Sequence, residues 1–129
     1  MGTNGQTKRD RAVGTRTTRK TRGESHHTHC TIEATVGLIG GRWKAVVIFH
    51  LLSGTLRFGE LRRLLPNATA RMLTLQLREL EADGLLRRKV FAEVPPRVEY
   101  TLTQEGVSLG PIVTAMGAWG KAYERRARR

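Results

Sequence analysis

Apolar residues recur at helical spacing in residues 66–86 and define one face of a predicted helix. Leu73, Leu77 and Leu80 lie at positions i, i+4 and i+7, which places them on a single stripe of an α-helix. Thr69 is a suitable N-cap, and Gly84 stands where a left-handed residue commonly ends a helix. The pattern therefore predicts a helix over 69–83 that its leucines anchor in a core.

The opposite face of this helix carries a different set of side chains. Arg71, Thr74, Leu75 and Arg78 repeat at i, i+3, i+4 and i+7, and Thr69 lies at the start of the same helix. In a DNA major groove, arginine contacts guanine edges and phosphates, threonine contacts several groups, and an apolar side chain meets the thymine methyl. These five residues are the predicted DNA contacts. The alternative is a solvated helix whose outer face is basic.

Three more helices are predicted before this one. Ile32, Val36 and Ile39 give a short amphipathic helix that ends at a Gly-Gly pair. Residues 43–52 are apolar almost all round, so this second helix is predicted to be central to the core. A third helix over 58–65 is joined to the basic helix by a Pro-Asn turn. Two helices joined by a tight turn, the second basic on its outer side, predict a helix-turn-helix.

After Gly84 the period changes to two, which predicts a hairpin of strands over 86–93 and 97–102 with a proline-containing tip. Its cations, all predicted to contact DNA, are Arg87, Arg88, Lys89 and Arg97. A basic hairpin after such a helix is typical of a wing that binds the backbone or minor groove of the same duplex. The alternative is a solvated hairpin whose cations only prevent edge-to-edge aggregation.

The last part of the chain is predicted to be helical. Thr103 can cap a helix, which Gly110 and Pro111 should kink or break. An apolar stripe then follows at helical spacing: Leu109, Ile112, Val113, Met116 and Trp119. With the first helix, this stripe is expected either to complete the core of a partner subunit or to fold back on its own subunit. The predicted fold class is mainly α (α+β): a winged helix-turn-helix with a two-stranded wing and terminal dimerisation helices.

The net charge of the chain independently favours a nucleic-acid partner. The 129 residues include 23 Lys and Arg against 11 Asp and Glu, and the isoelectric point is about 11.4. Such a balance favours polyanionic partners. We expect a disordered basic tail over 1–27, a DNA-binding domain over 28–126 and a frayed end over 127–129. No apolar run approaches the roughly 18 residues of a membrane span, and no secretory signal is recognised. A single cysteine cannot form an internal disulfide, which fits a reducing cytoplasm, so a cytoplasmic, nucleoid-associated bacterial protein is expected.

Candidate chemistry is sparse. The sequence contains no paired carboxylates in a plausible site, no nucleophile with an orienting His-Asp set and no glycine-rich phosphate loop, so we predict neither an enzyme nor a cofactor. His26, His27 and His29 precede the single cysteine, Cys30, but the usual metal-ligand spacing is missing and no metal site is predicted. If Cys30 lies in the first turn of a helix, the helix dipole favours the reactive thiolate. The alternative is a half-buried structural residue.

The order of these elements resembles the winged helix-turn-helix regulators of the HxlR family. The resemblance spans 30–123 and is carried by IGGRWK at 39–44, RFGEL at 57–61, the leucine-rich helix at 73–81, DGL at 83–85, PPRVEY at 95–100, LT at 102–103, Gly106 and WG at 119–120. Each piece alone is weak, but this many in this order make a specific signature.

The resemblance implies a homodimeric bacterial transcription regulator, expected to be a repressor acting on a pseudo-palindromic operator. Its dimer interface would be formed by the first and last helices, here by Ile32, Val36, Ile39, Ile112, Val113, Met116 and Trp119. Family members often respond to oxidants or electrophiles through a cysteine just before the first helix, a position that Cys30 occupies. Thr31 follows it where the family usually has proline. The rival hypothesis from another class is an RNA-binding or nucleoid-coating protein without sequence preference.

Overall fold

A computed structural model of the chain describes residues 30–128. The predicted N-terminal tail, with its three histidines, lies outside the described residues. The chain divides into two units after Gly40. None of the helices between residues 30 and 128 has the length and apolar character needed to cross a bilayer.

The described residues of the first unit are Cys30, helix α1 (Thr31–Ile39) and Gly40. Cys30 is the N-cap residue, and its carbonyl oxygen accepts a bond of 2.8 Å from the backbone N–H of Glu33. The helix ends at Gly40, whose N–H donates to the carbonyl of Val36 at 2.7 Å. A side chain at Gly40 would collide with that same carbonyl, so the glycine is required there. The predicted helix and its Gly-Gly end are confirmed.

Over its described residues, 41–128, the second unit contains five helices and three strands. They are, in chain order, α2 (Lys44–Leu51), β1 (Leu56–Arg57), α3 (Phe58–Leu64), α4 (Ala70–Ala82), β2 (Leu86–Phe91), β3 (Arg97–Leu102), α5 (Gln104–Val107) and α6 (Gly110–Ala127). The helical region is broken as predicted, but at Ser108 and Leu109, just before Gly110 and Pro111. The proline lies in the first turn of α6, where its missing N–H costs no helical bond. Helix α6 continues to Ala127, which the sequence had placed in the frayed end.

The core of this unit is assembled around α2, which packs against α3, α4, β3 and α6. It contains Val47, Ile48, Leu51, Leu61, Leu65, Leu73, Leu77, Leu80, Leu85, Leu86, Tyr100, Leu102, Leu109 and Val113. Helix α2 is central to this core, as predicted, although Val46 and Phe49, at i and i+3, are 37% and 48% exposed. Because the helix is apolar almost all round, its sequence pattern does not identify which side faces outward.

The predicted hairpin is confirmed, and a third strand joins it. The sheet is antiparallel with the order β1-β3-β2, so that the two-residue β1 pairs with the second strand of the hairpin. Leu86 lies opposite Leu102 and Phe91 opposite Arg97. Because β1 is only two residues long, it has no periodicity from which its pairing could be predicted.

The base of the hairpin is fastened to the end of α4. Thr103 donates its backbone N–H to the carbonyl of Leu85 at 3.1 Å and its hydroxyl to the carbonyl of Gly84 at 2.6 Å. The same hydroxyl accepts the N–H of Gly106 at 3.1 Å and so caps α5, as predicted. A side chain at Gly106 would collide with the carbonyl of Leu85, so only glycine permits this close approach.

Candidate nucleic-acid interface

Helix α4 has well-defined ends. The hydroxyl of Thr69 accepts the backbone N–H of Met72 at 3.0 Å, which caps the first turn as predicted. At the other end Gly84 has a φ of 77°, the left-handed conformation that favours glycine. The N–H of Gly84 bonds to the carbonyl of Glu81, and that of Leu85 to the carbonyl of Leu80. These two bonds form a Schellman motif, which fixes the length of the helix.

The two faces of α4 differ as the periodicity predicts. Leu73, Leu77 and Leu80 are at most 1% exposed, whereas Arg71, Leu75 and Arg78 are exposed. Among the described residues, neither arginine forms an ion pair. An apolar side chain therefore lies between two guanidinium groups on an outward face, a combination that suits a major groove.

Two of the predicted contact residues also have structural roles. Thr69 is the N-cap, and Thr74 is half-buried and donates its hydroxyl to the carbonyl of Ala70 at 2.8 Å. The proton of Thr74 is therefore used within the helix, and its hydroxyl oxygen is left as an acceptor. This arrangement suits a base edge that donates a hydrogen bond.

Trp43 and Lys44, the N-cap and first residue of α2, contact α4 at two points, which the sequence did not predict. The indole Nε1–H of Trp43 donates to the sulfur of Met72 at 3.2 Å. Lys44 Nζ lies 2.8 Å from a carboxylate oxygen of Glu79. Met72 and Glu79 are two helical turns apart, so these contacts fix both the position and the rotation of α4. The partners are far apart in the sequence, where no local pattern relates them.

Helix α3 adds two basic residues that were not predicted as site residues. Its start is stabilised by Glu60, whose carboxylate accepts the N–H of Arg57 at 2.8 Å. Its later residues Arg62 and Arg63 are exposed and form no ion pair with any described residue. In a helix-turn-helix, the first helix crosses the phosphate backbone, where such cations are useful. The signal was visible in the sequence as two consecutive arginines before the turn.

The cations of the hairpin differ in how far they are already engaged. Arg97 bridges Glu93 and Glu99, each at 3.0 Å, and its guanidinium carbon lies 3.8 Å from the centre of the Phe91 ring. Lys89 Nζ lies 5.0 Å from the same ring. The charge of Arg97 is thus balanced twice within the hairpin, and this residue is the least available of the predicted DNA contacts.

The other two hairpin cations lie on opposite faces of the sheet. Arg88 shares a face with its cross-strand partner Tyr100 and reaches Glu81 of α4 at 3.4 Å. Arg87 lies on the other face, is exposed and has no ion pair among the described residues. Arg87 is therefore the hairpin cation with the most freedom to contact a phosphate.

Tyr100 lies where the hairpin meets α4. Its burial raises the pKa of the phenol above the ordinary value of 10.0. The positive charge of Arg88 opposes this shift, Glu81 adds to it, and Arg78 opposes it. Charges from both the helix and the hairpin therefore act on the pKa of this phenol.

The remaining predicted site residues lie on the terminal helices. Cys30 is exposed, and no group of three or more metal-binding side chains occurs between residues 30 and 128. The predicted interface residues divide into two groups. Ile39 and Val113 are buried within the single chain. The exposed members are Ile32, Val36, Ile112, Met116 and Trp119.

A capped helix with a basic outer face, a tight turn before it and a basic hairpin fastened to its end together define a winged helix-turn-helix protein. A family model described as HxlR-like helix-turn-helix matches residues 38–128. The chain belongs to this family, whose members are transcriptional regulators and not enzymes.

Two further comparisons agree with the family. The chain is 50% identical over 97 residues to the HTH-type transcriptional regulator YdeP of Bacillus subtilis, a match that covers 75% of this chain and 76% of the relative. The structure of the redox regulator HypR in its oxidised form aligns with a TM-score of 0.69 and 53% identity, over 72% of this chain and 96% of that one. The reduced form of HypR aligns with a TM-score of 0.72 and 48% identity, over 77% and 98%.

Proposed function

We propose that this protein is a sequence-specific transcriptional repressor that binds a pseudo-palindromic operator as a homodimer. The observation that carries the proposal is the two-sided character of α4. Three fully buried leucines hold the helix, and Arg71, Leu75 and Arg78 project from its other side. In this proposal residues 28–126 are the DNA-binding domain, which acts in the cytoplasm, and the tail over 1–27 adds affinity that does not depend on sequence.

Base contacts and backbone contacts have different sources in this proposal. Arg71, Arg78 and Leu75 contact base edges, with Thr69 and Thr74 beside them. Arg87, Arg88, Lys89 and the arginines of α3 bind phosphates and set the register. Arg97 contributes less, because Glu93 and Glu99 already neutralise it.

The homodimer is supported by apolar surface on the two terminal helices. Ile32 and Val36 on α1 are 69% and 58% exposed, and Trp119 on α6 is 65% exposed. Trp119 stacks on Tyr123 with the ring planes 9° apart, which extends the apolar surface of α6. A second copy of the chain would cover these residues and present two α4 helices about 34 Å apart, one turn of B-DNA. Light scattering should give twice the mass of one chain, and Trp119→Glu should give a monomer.

For regulation, we propose that Cys30 is a thiol sensor. Cys30 is exposed at the N-cap of α1, and the aligned HypR is a redox regulator. In the sensing reaction, two thiols, that of Cys30 and that of a partner subunit or a small thiol, give up two protons and two electrons to the oxidant and form one disulfide. Diamide, a thiol-specific oxidant, should change DNA binding by the native protein and leave Cys30→Ser unaffected. A Cys30→Ser protein that still responds to diamide would contradict the assignment.

Selection of DNA from a random pool tests the central proposal. The purified protein should enrich a two-fold symmetric sequence, and diamide should alter that enrichment. A matched selection with Arg71→Ala should lose information at defined positions. The rival function, nonspecific coating of DNA or RNA, predicts a steep salt dependence of binding with no enriched sequence.

A further inference from the structure

Met72 occupies an unusual position for a methionine. It lies in the first turn of α4, its backbone N–H is capped by Thr69, and it directly follows Arg71. Its side chain is 45% exposed although its sulfur accepts a hydrogen bond from the indole of Trp43, which is only 8% exposed. The thioether therefore joins a solvent-accessible surface to a buried side chain.

A second methionine in the chain provides a comparison for Met72. Among the described residues, the other methionine is Met116 on α6, which is 51% exposed and whose sulfur accepts no hydrogen bond from a described residue. Within a single chain, solvent reaches the two residues to a similar extent, and Met116 belongs to the predicted dimer interface. They differ in what the sulfur touches and in whether the surrounding helix faces DNA in the proposed function.

We infer that Met72 is an oxidation-sensitive site, and that conversion of its thioether to the sulfoxide weakens operator binding. The inference rests on the proposed function in one respect, that α4 contacts DNA. It concerns a different residue, and a different oxidant chemistry, from those proposed for Cys30. The oxidant class is a hypohalous acid or a hydroperoxide, both of which oxidise thioethers.

The chemistry is a two-electron oxygen transfer. The sulfur of Met72 attacks hypochlorous acid, a sulfur–oxygen bond forms, and chloride and a proton are released. The sulfur is oxidised by two electrons and the chlorine is reduced by two. The product is polar and chiral where the thioether was apolar and flexible, and methionine sulfoxide reductases reverse the change.

The geometry explains why oxidation of Met72 would change the surface of α4 that is proposed to contact DNA. The Nε1–Sδ distance of 3.2 Å leaves no room for an oxygen atom between the two groups. Trp43 is packed in the interior, so the displacement falls on the exposed partner, the first turn of α4. That turn carries Arg71 and the Thr69 cap, so a shift there changes the position of a predicted base contact.

Oxidation of the Cys30→Ser protein, which has no thiol, tests the inference. The full-length variant is treated with increasing hypochlorous acid, its affinity for the selected operator is measured, and the tryptic peptides 72–78 and 98–121 are weighed. These peptides separate Met72 from Met116. We expect the affinity to fall about tenfold, the effect of losing one well-placed contact, in step with the oxygen gained by peptide 72–78.

Variants in the same background supply the controls. Met116→Leu should keep the full response, and Met72→Leu should remove it while retaining affinity before treatment, since leucine preserves the volume. Met72→Gln, an inert polar substitute for the sulfoxide, should bind weakly without oxidant. A fully oxidised peptide 72–78 with unchanged affinity, or a peptide that gains no oxygen when 98–121 does, would overturn the inference.

A measurement without DNA separates this inference from the proposed function. In a Trp119→Phe protein, the fluorescence comes from Trp43 and should shift as Met72 is oxidised. If the unoxidised protein selects no DNA, the proposed function fails, and this shift still decides whether the sulfur contact is redox-sensitive. Oxidised Met72 with unchanged Trp43 emission would refute that contact.

Discussion

Helix α4 and the β2–β3 hairpin are both basic, but their charges have different surroundings. Arg71 and Arg78 project from α4 with no ion pair among the described residues. On the hairpin, Arg97 is held by Glu93 and Glu99 and packed on an aromatic ring, and Arg88 is attracted by Glu81. A cation that is already paired gains less from a phosphate, because the new contact must compete with the old one.

The difference shows that counting cations overestimates a DNA-binding surface. The sequence places four cations on or near the hairpin, yet only Arg87 is exposed on the outward face without either a carboxylate or an aromatic ring beside it. Helix α4 has fewer cations, and both are available. We therefore expect α4 to dominate the specificity, and the hairpin to contribute through Arg87 more than through Arg97.

The largest expected effect comes from the buried face of α4. Leu77→Ala should lower the free energy of unfolding by about 2–5 kcal/mol, because it leaves a cavity in a fully packed core. Urea denaturation measures the change. The matched control Leu75→Ala, on the exposed face of the same helix, should change stability by less than about 0.5 kcal/mol. An equal loss of stability in the two variants would show that α4 does not have one buried and one exposed face.

Arg71 should produce the next largest effect, and on specificity in particular. Arg71→Ala should weaken binding to the selected operator by about 1–3 kcal/mol if Arg71 contacts a base. Its effect on random DNA should be smaller. Fluorescence anisotropy at one fixed salt concentration compares the two. Equal loss on both DNAs would make Arg71 a phosphate contact and would remove it from the base-reading residues.

A smaller effect is expected from the hairpin, where a matched pair tests the comparison directly. Arg87→Ala should weaken binding to all sequences alike and lower the slope of log K against log salt by about 1. Arg97→Ala should change DNA affinity less than Arg87→Ala but cost more stability, because it leaves Glu93 and Glu99 unneutralised. The reverse order of the two variants in DNA affinity would contradict the distinction between them.

The smallest effect concerns the junction of the two regions. Because the pKa of Tyr100 is raised in the folded state, the folded protein holds this proton more tightly than the unfolded chain. Below pH 10.0, ionisation of Tyr100 should therefore not lower the free energy of unfolding. As the pH rises from there towards the folded-state pKa, the free energy of unfolding should fall. Urea titrations across this range should show a shallower decline for Tyr100→Phe.

Local patterns predicted most of the fold. The leucine spacing of α4, the Thr69 and Thr103 caps, the Gly84 end and the alternation of the hairpin are all short-range signals, and each is confirmed. The pairing of β1 with β3 was not predictable because a two-residue strand carries no period. The exposure of Phe49 could not be predicted because α2 is apolar almost all round, so its pattern does not mark an outer face.

The candidate site was predictable in its outline but not in its electrostatics. The basic face of α4 follows from spacing alone, whereas the contacts of Trp43 and Lys44 with α4 join residues far apart in the chain. The pairing of Arg97 did have a local signal, since Glu93 and Glu99 flank it closely in the sequence. Strand alternation places Glu99 on the same face as Arg97, which gives this pairing a physical basis.

Thr103 donates two hydrogen bonds, one to the carbonyl of Gly84 and one to that of Leu85, and these restrict motion between the end of α4 and the hairpin. These bonds hold α4 and the hairpin at a fixed separation and orientation. In the proposed complex, the number of base pairs between the bases that α4 contacts and the phosphates that the hairpin binds would therefore be fixed by the protein. We expect an operator variant with one base pair inserted in that interval to lose one of the two contacts.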